Sequence, residues 1–229
     1  MKAGRVTRAV FVHGAGGGGW EWNVWRGVFA AHGIDARAPD LQPSSAGLAA
    51  TTFADYAAQV RQAVASLPRP RALVGASLGG LLALACADQV DALVLVNPIP
   101  PLPWTRNLVR RAWPDVVPWR RNARLSSTRR ALPDADDATS VYALRRWRDE
   151  SGAVLREAHA GIVLAPPACR ILCIASAQDD DVPPESTIAW ARSRGASLLR
   201  ATSPSHVGPL LGRDAAIVAA QAADWLSSP

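Results

Sequence analysis

The feature that most constrains the fold is a Gly-Ala-Ser-Leu-Gly pentapeptide at residues 75–79, which stands between two apolar segments. The segment before it predicts a buried β-strand, and the segment after it predicts an α-helix. A serine at such a sharp turn adopts a positive φ angle, so the positions two residues away must be small, as Gly75 and Gly79 are. The pattern predicts that Ser77 projects its hydroxyl as a nucleophile does. The alternative is a glycine-rich turn with an inert serine.

Short apolar runs alternate with longer amphipathic segments along most of the chain, which is typical of a parallel sheet covered by helices. We expect an α/β fold, with a doubly wound, mostly parallel sheet of about six strands, flanking helices and an inserted cap. The predicted strands are residues 8–12, 35–38, 71–75, 92–96, 170–175 and 197–200. The predicted helices are residues 22–32, 53–67, 78–87, 184–194 and 214–226.

The alternation breaks after the fourth predicted strand, in a segment rich in Arg, Trp and Pro that is too long for a plain connection. We predict a core of residues 1–98 and 166–229, with a cap inserted at 99–165; this segment is called the insertion below. One helix is expected in it, near 140–150. Its tryptophans either line an apolar pocket or form a small core of the cap, and they are Trp104, Trp113, Trp119 and Trp147.

Composition narrows the class of protein. The chain has 229 residues, 49% hydrophobic and 19% charged, which suits a globular domain with a large core. No apolar stretch reaches the roughly 18 residues of a membrane span, and the run at 9–12 is too short for a signal-peptide core. We therefore expect a cytoplasmic protein. Cys86, Cys169 and Cys173 lack the spacing of metal ligands and are expected to be reduced, so no metal site is predicted.

Arginine dominates the charge. The net charge is +6, Lys2 is the only lysine, and eleven arginines lie between Arg106 and Arg148. This excess suits an anionic partner, such as nucleic acid, a membrane surface or an acidic substrate, or it is arginine on a solvated surface. Because no nucleic-acid-binding motif accompanies it, nucleic-acid binding is not predicted.

A serine nucleophile needs a histidine base, and the chain has four histidines. His206 follows the last predicted strand, in a loop at the same edge of the sheet as Ser77. His32 lies in the last turn of the first helix, His159 lies in the insertion, and His13 follows the first strand. We predict that His206 is the general base; an inert loop histidine is the alternative.

The acid that orients the histidine should also follow a strand. Three adjacent carboxylates, Asp179, Asp180 and Asp181, come after the fifth predicted strand. Asp179 is the first choice, and the other two stay open as alternatives. The end of the fourth strand carries Asn97, so no acid is available there.

Two backbone amides are needed to hold the negative charge of a tetrahedral intermediate. One is the amide of Leu78, at the start of the helix after the serine. The other should come from residues 13–20, His-Gly-Ala-Gly-Gly-Gly-Gly-Trp, called the Gly-rich loop below. We assign it to Ala15, with Gly16 as the alternative. A phosphate-binding role is not predicted, because no Gly-Lys-Ser/Thr follows the glycines.

The sequence resembles the α/β-hydrolase superfamily, and the residues that carry the resemblance are His13, Gly14, the pentapeptide at 75–79, Asp179 ahead of Val182 and Pro183, and His206. Its opening at 11–22 is similar to the start of the methylesterase and hydroxynitrile-lyase branch. The resemblance covers nearly the whole chain outside 104–165. The sequence departs from the family at Ser176, where the acid loop usually has a glycine.

Together, the residues and the resemblance predict a serine hydrolase with the triad Ser77, Asp179 and His206. It would cleave a small-molecule carboxylic ester or thioester through an acyl-enzyme, without a cofactor or metal. One alternative is a lyase or carbon–carbon bond hydrolase that uses the same triad, and another is a non-catalytic binding protein on the same fold. The Arg-rich insertion would also suit recruitment of anionic substrates such as acyl carriers. No sequence feature indicates an oligomeric state.

Overall fold

The computed structural model describes residues 5–228; the ends of the predicted core, residues 1–4 and 229, lie outside the described residues. The strands in this range are β1 Arg8–Val12, β2 Asp35–Arg37, β3 Arg71–Ala76, β4 Ala92–Val96, β5 Val116–Val117, β6 Glu150–Ser151, β7 Arg170–Ser176 and β8 Ser197–Ala201. Six of them form one sheet in the order β2-β1-β3-β4-β7-β8, and every pairing in it is parallel. The remaining two, β5 and β6, form an antiparallel pair within the insertion.

The strand order confirms the predicted fold class. From β1 the chain adds β2 on one side and then β3, β4, β7 and β8 on the other, which is the doubly wound arrangement. All six predicted strands are present, and each end agrees with the prediction to within one residue. The wholly apolar strand β4 lies between β3 and β7, and all of its residues are buried. Burial on both faces explains why this strand shows no alternation of polar and apolar residues.

Helices cover both faces of the sheet. The helices are α1 Asn23–Ala31, α2 Phe53–Ala65, α3 Leu78–Ala85, α4 Trp119–Asn122, α5 Leu125–Ala131, α6 Asp137–Leu144, α7 Gly152–Ala160, α8 Pro184–Ser193, α9 Gly208–Leu211 and α10 Ala215–Ser227. One core lies under α2, α3 and α8 and takes Leu93 and Leu95 from β4. The other lies under α1 and α10 and takes Val94 and Val96. Within residues 5–228, no helix combines the length and the apolar character that crossing a membrane requires.

Local signals explain where several helices begin and end. The Thr52 hydroxyl accepts a hydrogen bond from the Asp55 amide, while the Asp55 carboxylate accepts one from the Thr52 amide at 2.8 Å, so α2 starts with a capping box. After α1, Gly33 takes a φ of +75°, a conformation that glycine adopts without strain. A proline, Pro184, opens α8, where its missing amide hydrogen costs nothing.

The one helix expected in the insertion, near 140–150, is present as α6, but its bounds differ from the prediction and the insertion also contains α4, α5 and α7. Helix α6 starts earlier, because the Asp136 carboxylate accepts a hydrogen bond from the Thr139 amide at 2.7 Å, and it ends at Leu144. The chain then turns to the core, where the Arg148 amide donates to the Gly16 carbonyl at 2.8 Å. A second cap, Ser151, begins α7. Contact with the Gly-rich loop therefore replaces a helical turn that the local pattern had favoured.

Candidate active site

The turn at Ser77 has the strained geometry that the pentapeptide predicts. Ser77 follows β3 directly and precedes α3, with a φ of 54° and a ψ of −119°. Within the described residues, Asn97 is the only other non-glycine residue with a positive φ. Hydrogen bonds hold the strained backbone: the Ser77 amide donates to the Val96 carbonyl, and the Ile99 amide donates to the Ser77 carbonyl, both at 3.0 Å.

The glycines around Ser77 are required by close packing. A Cβ atom at Gly75 would overlap the Gly79 carbonyl oxygen, and a Cβ atom at Gly79 would overlap the Val12 carbonyl oxygen. At Gly80, a Cβ atom would lie 2.6 Å from the Cβ of Pro98. Strand and helix therefore approach each other more closely than any larger residue allows, which leaves the serine at the exposed corner.

Asp179 and His206 form a hydrogen-bonded pair. The Nδ1 of His206 lies 2.7 Å from the Oδ2 of Asp179, whose side chain is 1% exposed. The other carboxylate oxygen of Asp179 accepts from the amides of Asp181 at 2.9 Å and Val182 at 2.8 Å. The neighbouring carboxylates do not reach the histidine in this way, since Asp181 pairs with Arg111 at 2.9 Å. Of the three adjacent aspartates, Asp179 is the one whose side chain bonds to the imidazole.

The Asp179 bond leaves the Nε2 of His206 as the ring atom that can accept a proton. Burial alone would lower the pKa of His206. The hydrogen bond and the negative charge of Asp179 outweigh burial, with help from the charge of Asp181, and raise the pKa above its ordinary value. The positively charged imidazolium is thus stabilised where a general base would need it.

Asn97 connects the acid loop to the histidine loop. Its side-chain amide donates to the His206 carbonyl at 2.7 Å and to the Ser176 hydroxyl at 2.8 Å. Its side-chain oxygen accepts from the Ser176 amide at 2.8 Å. Ser176, which stands where the acid loop of the family usually has a glycine, thus bonds to Asn97, which stands at the end of the fourth predicted strand where no acid is available. The sequence showed the serine at 176 and the asparagine at 97, but not the hydrogen bonds that connect them.

A second anchor of the histidine loop comes from the insertion. The buried carboxylate of Asp134 accepts hydrogen bonds from the Ser203 hydroxyl at 2.6 Å and the Ser205 hydroxyl at 3.0 Å. A Cβ atom at Gly208 would overlap both the Ser203 hydroxyl and the Asp134 carboxylate, so the loop packs tightly around this group. Sequence reasoning missed Asp134, because no local signal connects it to residues about 70 positions away.

The Gly-rich loop lies directly over Ser77. A Cβ atom at Gly14 would be 3.2 Å from the Cβ of Ser77. The amide of Gly16, the alternative oxyanion donor, is already bonded to the Oε2 of Glu150 at 3.0 Å. Within residues 5–228, the amides of Ala15 and Leu78 have no hydrogen-bond acceptor. These two amides are therefore free to donate to a ligand, whereas that of Gly16 is not.

His13 holds the loop and is not placed to act as a base. Its Nδ1 donates to the Gly14 carbonyl at 2.8 Å, and its Nε2 accepts from the Leu41 amide at 3.0 Å. Burial lowers the pKa of His13 to about 4, so the ring is neutral at physiological pH. Of the other two histidines, His32 lies 3.3 Å from Asp224 and His159 packs on Trp113 with ring centroids 5.5 Å apart.

Ser77 and His206 line one cavity of about 470 Å³ together with Ala15. Its walls are mostly apolar and come largely from the insertion, where the principal contributors are Trp113, Trp119, Trp147 and Leu155. The fourth tryptophan of the insertion, Trp104, packs instead against the core under α2, α3 and α8. Three of the four tryptophans thus line the pocket, and one belongs to a core.

The cysteines take no part in this site. All three are free thiols, and burial raises the pKa of Cys86 to about 11 and that of Cys173 to about 12. In the part of the chain that the structure describes, no three His, Cys, Asp or Glu side chains are grouped so that they could hold a metal ion.

A parallel α/β sheet with a serine at a strand-to-helix turn, and a histidine–aspartate pair at the same edge, is the architecture of the α/β hydrolases. The chain belongs to the alpha/beta hydrolase family, whose sequence profile matches residues 9–221. No curated protein matches its sequence.

Solved structures share the whole fold at low sequence identity. Polyneuridine aldehyde esterase superposes with a TM-score of 0.76 and 16% identity, over 98% of this chain and 100% of that chain. A pyrethroid hydrolase from Sphingobium faniae JZ-2 gives 0.73 and 20%, over 98% of each chain. Tomato methylketone synthase I gives 0.74 and 17%, over 96% of this chain and 98% of that chain. At these identities the likeness establishes the fold.

Proposed function

We propose that the protein is a serine hydrolase that cleaves a carboxylic ester or thioester through an acyl-enzyme intermediate. The observation that carries the proposal is the 2.7 Å bond between Asp179 and His206, in a cavity that His206 shares with the strained Ser77. A nucleophile, a base and an orienting acid are the minimum that this chemistry requires.

The reaction begins when the Ser77 hydroxyl attacks the carbonyl carbon and His206 accepts its proton at Nε2. Asp179 keeps the imidazole oriented and stabilises its positive charge. The amides of Ala15 and Leu78 hold the oxyanion. His206 then protonates the leaving alcohol or thiol, and the acyl group stays on Ser77. A water molecule, deprotonated by His206, releases the acid and restores the serine. No cofactor enters these steps.

The cavity supports a small, largely apolar substrate. A volume of about 470 Å³ is within the range of small-molecule sites, and three tryptophan side chains supply wide apolar walls. Two of the structurally similar proteins are named as an esterase and a pyrethroid hydrolase, which agrees with ester cleavage. We therefore expect uncharged esters with apolar acyl or alcohol groups to be the better substrates.

The proposal is tested by hydrolysis of short-chain p-nitrophenyl esters and matched thioesters, together with labelling by a fluorophosphonate probe. Ser77→Ala should lose both hydrolysis and labelling. The control is Ser66→Ala, because Ser66 is an exposed helix-end serine whose hydroxyl bonds only to the Ala63 carbonyl. Retained hydrolysis in Ser77→Ala would remove the serine from the mechanism.

These measurements, together with hydrolysis in ¹⁸O-water, distinguish an ester hydrolase from a binding protein and from a lyase. A binding protein on this fold would neither turn over nor label at Ser77. A lyase would release products without oxygen from water, whereas an ester hydrolase run in ¹⁸O-water places one ¹⁸O atom in the released acid.

A further inference from the structure

One of the carboxyl groups that line the cavity, that of Glu21, is not used by the mechanism above. Glu21 lies in the short 3-10 helix Gly19–Trp22, just after the Gly-rich loop, and it lines the same cavity as Ser77 and His206. The residue is only 3% exposed. Its Oε2 atom is buried, and among the described residues it has no hydrogen-bond partner. A buried polar atom without a partner costs about 1–3 kcal/mol, so its presence calls for a reason.

The Gly-rich loop leaves space for the carboxyl group of Glu21. A Cβ atom at Gly17 would overlap both carboxyl oxygens of Glu21, so the side chain lies directly against the backbone of the Gly-rich loop. Among residues 5–228, no arginine side chain forms an ion pair with Glu21. The ionisable groups that act on it are His206 from the histidine loop and Asp40 from the loop after β2.

Glu21 carries a proton at neutral pH. Burial raises the pKa of Glu21 to about 8; the amides of Gly18 and Gly14 and the charge of His206 oppose the rise, and Asp40 adds slightly to it. A protonated carboxyl is a hydrogen-bond donor, whereas a carboxylate only accepts. Below pH 8, Glu21 therefore offers an O–H donor to the mostly apolar cavity beside Ser77.

We propose that the Glu21 carboxyl donates a hydrogen bond to an oxygen atom of the substrate near the scissile carbonyl, and so selects oxygen-bearing esters over their hydrocarbon analogues. The inference rests on the proposed function and adds the substrate class to it. The physical basis is asymmetric: a substrate with an ether, hydroxyl or carbonyl oxygen satisfies the buried group, while a hydrocarbon chain leaves it unpaired.

The test compares substrates that differ by one atom. p-Nitrophenyl methoxyacetate and p-nitrophenyl butanoate exchange an oxygen for a methylene in the acyl group, and 2-methoxyethyl and butyl esters of one acid do so in the alcohol. For each pair, the ratio of kcat/KM for the oxygen-bearing ester to that for its analogue is measured in wild type, Glu21→Gln and Glu21→Met. Glutamine keeps a neutral donor, and methionine keeps the volume but no donor.

In at least one pair, we expect the wild-type ratio to exceed the Glu21→Met ratio about tenfold, with Glu21→Gln close to wild type. The wild-type ratio should also fall above pH 8, as Glu21 loses its proton, while the Glu21→Gln ratio stays flat. Titration of His206 affects both esters of a pair alike and cancels in the ratio.

Equal ratios in wild type and Glu21→Met for both pairs would overturn the proposal. If Glu21→Met fails to fold, the wild-type pH dependence decides alone, and a ratio that is flat across pH 8 for both pairs is negative. A purely structural role would change stability or all rates together, but not the ratio. Failure of the proposed function is seen separately, because wild type would then hydrolyse none of the four esters.

Discussion

The carboxylate of Glu150 lies 3.0 Å from the amide nitrogen of Gly16, so the insertion holds the Gly-rich loop from across the chain. The other oxygen of Glu150 accepts from the Tyr56 hydroxyl at 2.9 Å and from the Ser151 amide at 2.7 Å. This contact occupies the amide next to that of Ala15, and it leaves the Ala15 amide free for substrate. The insertion thus shapes the proposed oxyanion site as well as the pocket walls.

Replacing Glu150 should therefore reduce turnover. Glu150→Ala is expected to lower kcat roughly 10- to 100-fold, because the Gly-rich loop loses the bond that positions it, and to lower the free energy of unfolding by about 1–3 kcal/mol. The matched control is Glu157→Ala. Glu157 also reaches from the insertion to a backbone amide, that of Phe53 at 3.1 Å, but lies outside the Gly-rich loop. If both variants lower kcat equally, the loop contact has no special role.

The activity should depend on pH through His206. Its pKa is raised by Asp179, and the base acts in its neutral form. Activity is therefore lost as pH falls through this raised pKa, so the acid limb of kcat/KM should have its midpoint above 6.5, the ordinary value for histidine. A midpoint at or below that value would contradict the assignment of the raised pKa.

Replacing the carboxylate of Asp179 should strongly reduce kcat. Asp179→Asn is expected to lower kcat about 10³- to 10⁴-fold, because an amide no longer selects the Nδ1–H tautomer or stabilises the imidazolium. Asp180→Asn is the control, since Asp180 is exposed and, unlike Asp181, is not paired with Arg111. Steady-state kinetics on one p-nitrophenyl ester compares the two. A larger loss in Asp180→Asn would reassign the acid.

Asp134 should matter for the position of His206. Asp134→Ala removes the acceptor of two serine hydroxyls and leaves them buried, so we expect a loss of a few kcal/mol in unfolding free energy and a lower kcat. Asp136→Ala, two residues away, removes only the exposed cap of α6 and should lower the stability less, with kcat unchanged. Denaturant unfolding and kcat are measured for both. An unchanged kcat in Asp134→Ala would show that the loop holds its histidine without this anchor.

Trp119 should limit the size of the substrate. Its ring lies against the Gly-rich loop, where a Cβ atom at Gly16 would overlap it. Trp119→Ala enlarges the cavity beside Ala15, so the preferred chain length in a series of p-nitrophenyl esters should increase, with the change mainly in KM. Trp104→Ala is the control, because Trp104 lies outside the cavity wall. An identical chain-length profile in Trp119→Ala and wild type would place the substrate elsewhere.

The parts of this site that the sequence predicted are those with local signals. The turn at Ser77 follows from a five-residue pattern, and the strand runs fix which loops meet at one edge of the sheet. This edge brings Ser77 and His206 to one cavity, although they are far apart in the chain. Asp179 could be preferred among three aspartates, but only the three-dimensional path of the acid loop distinguishes it from Asp180 and Asp181.

The contacts that sequence reasoning missed are long-range bonds to the insertion or buried groups without a motif. Gly16 and Glu150 are 134 positions apart, and Ser205 and Asp134 are 71 apart. Glu21 follows a glycine run in a segment that otherwise indicates only a turn. Tertiary contact also explains why the helix predicted near 140–150 ends at Leu144, because hydrogen bonding of Arg148 to Gly16 competes with helical bonding.

The neutral His13 makes the Gly-rich loop sensitive to acid. In the unfolded chain this histidine takes up a proton near pH 6.5, but in the folded protein only near pH 4. The unfolded state therefore binds more protons between these values, and the free energy of unfolding decreases as pH falls across the interval, by roughly 3 kcal/mol in total. Protonation would also remove the acceptor for the Leu41 amide. A mildly acidic compartment would therefore lower the stability of the whole fold through a buried residue of the Gly-rich loop, while the ring itself stays neutral in the folded protein until the pH approaches 4.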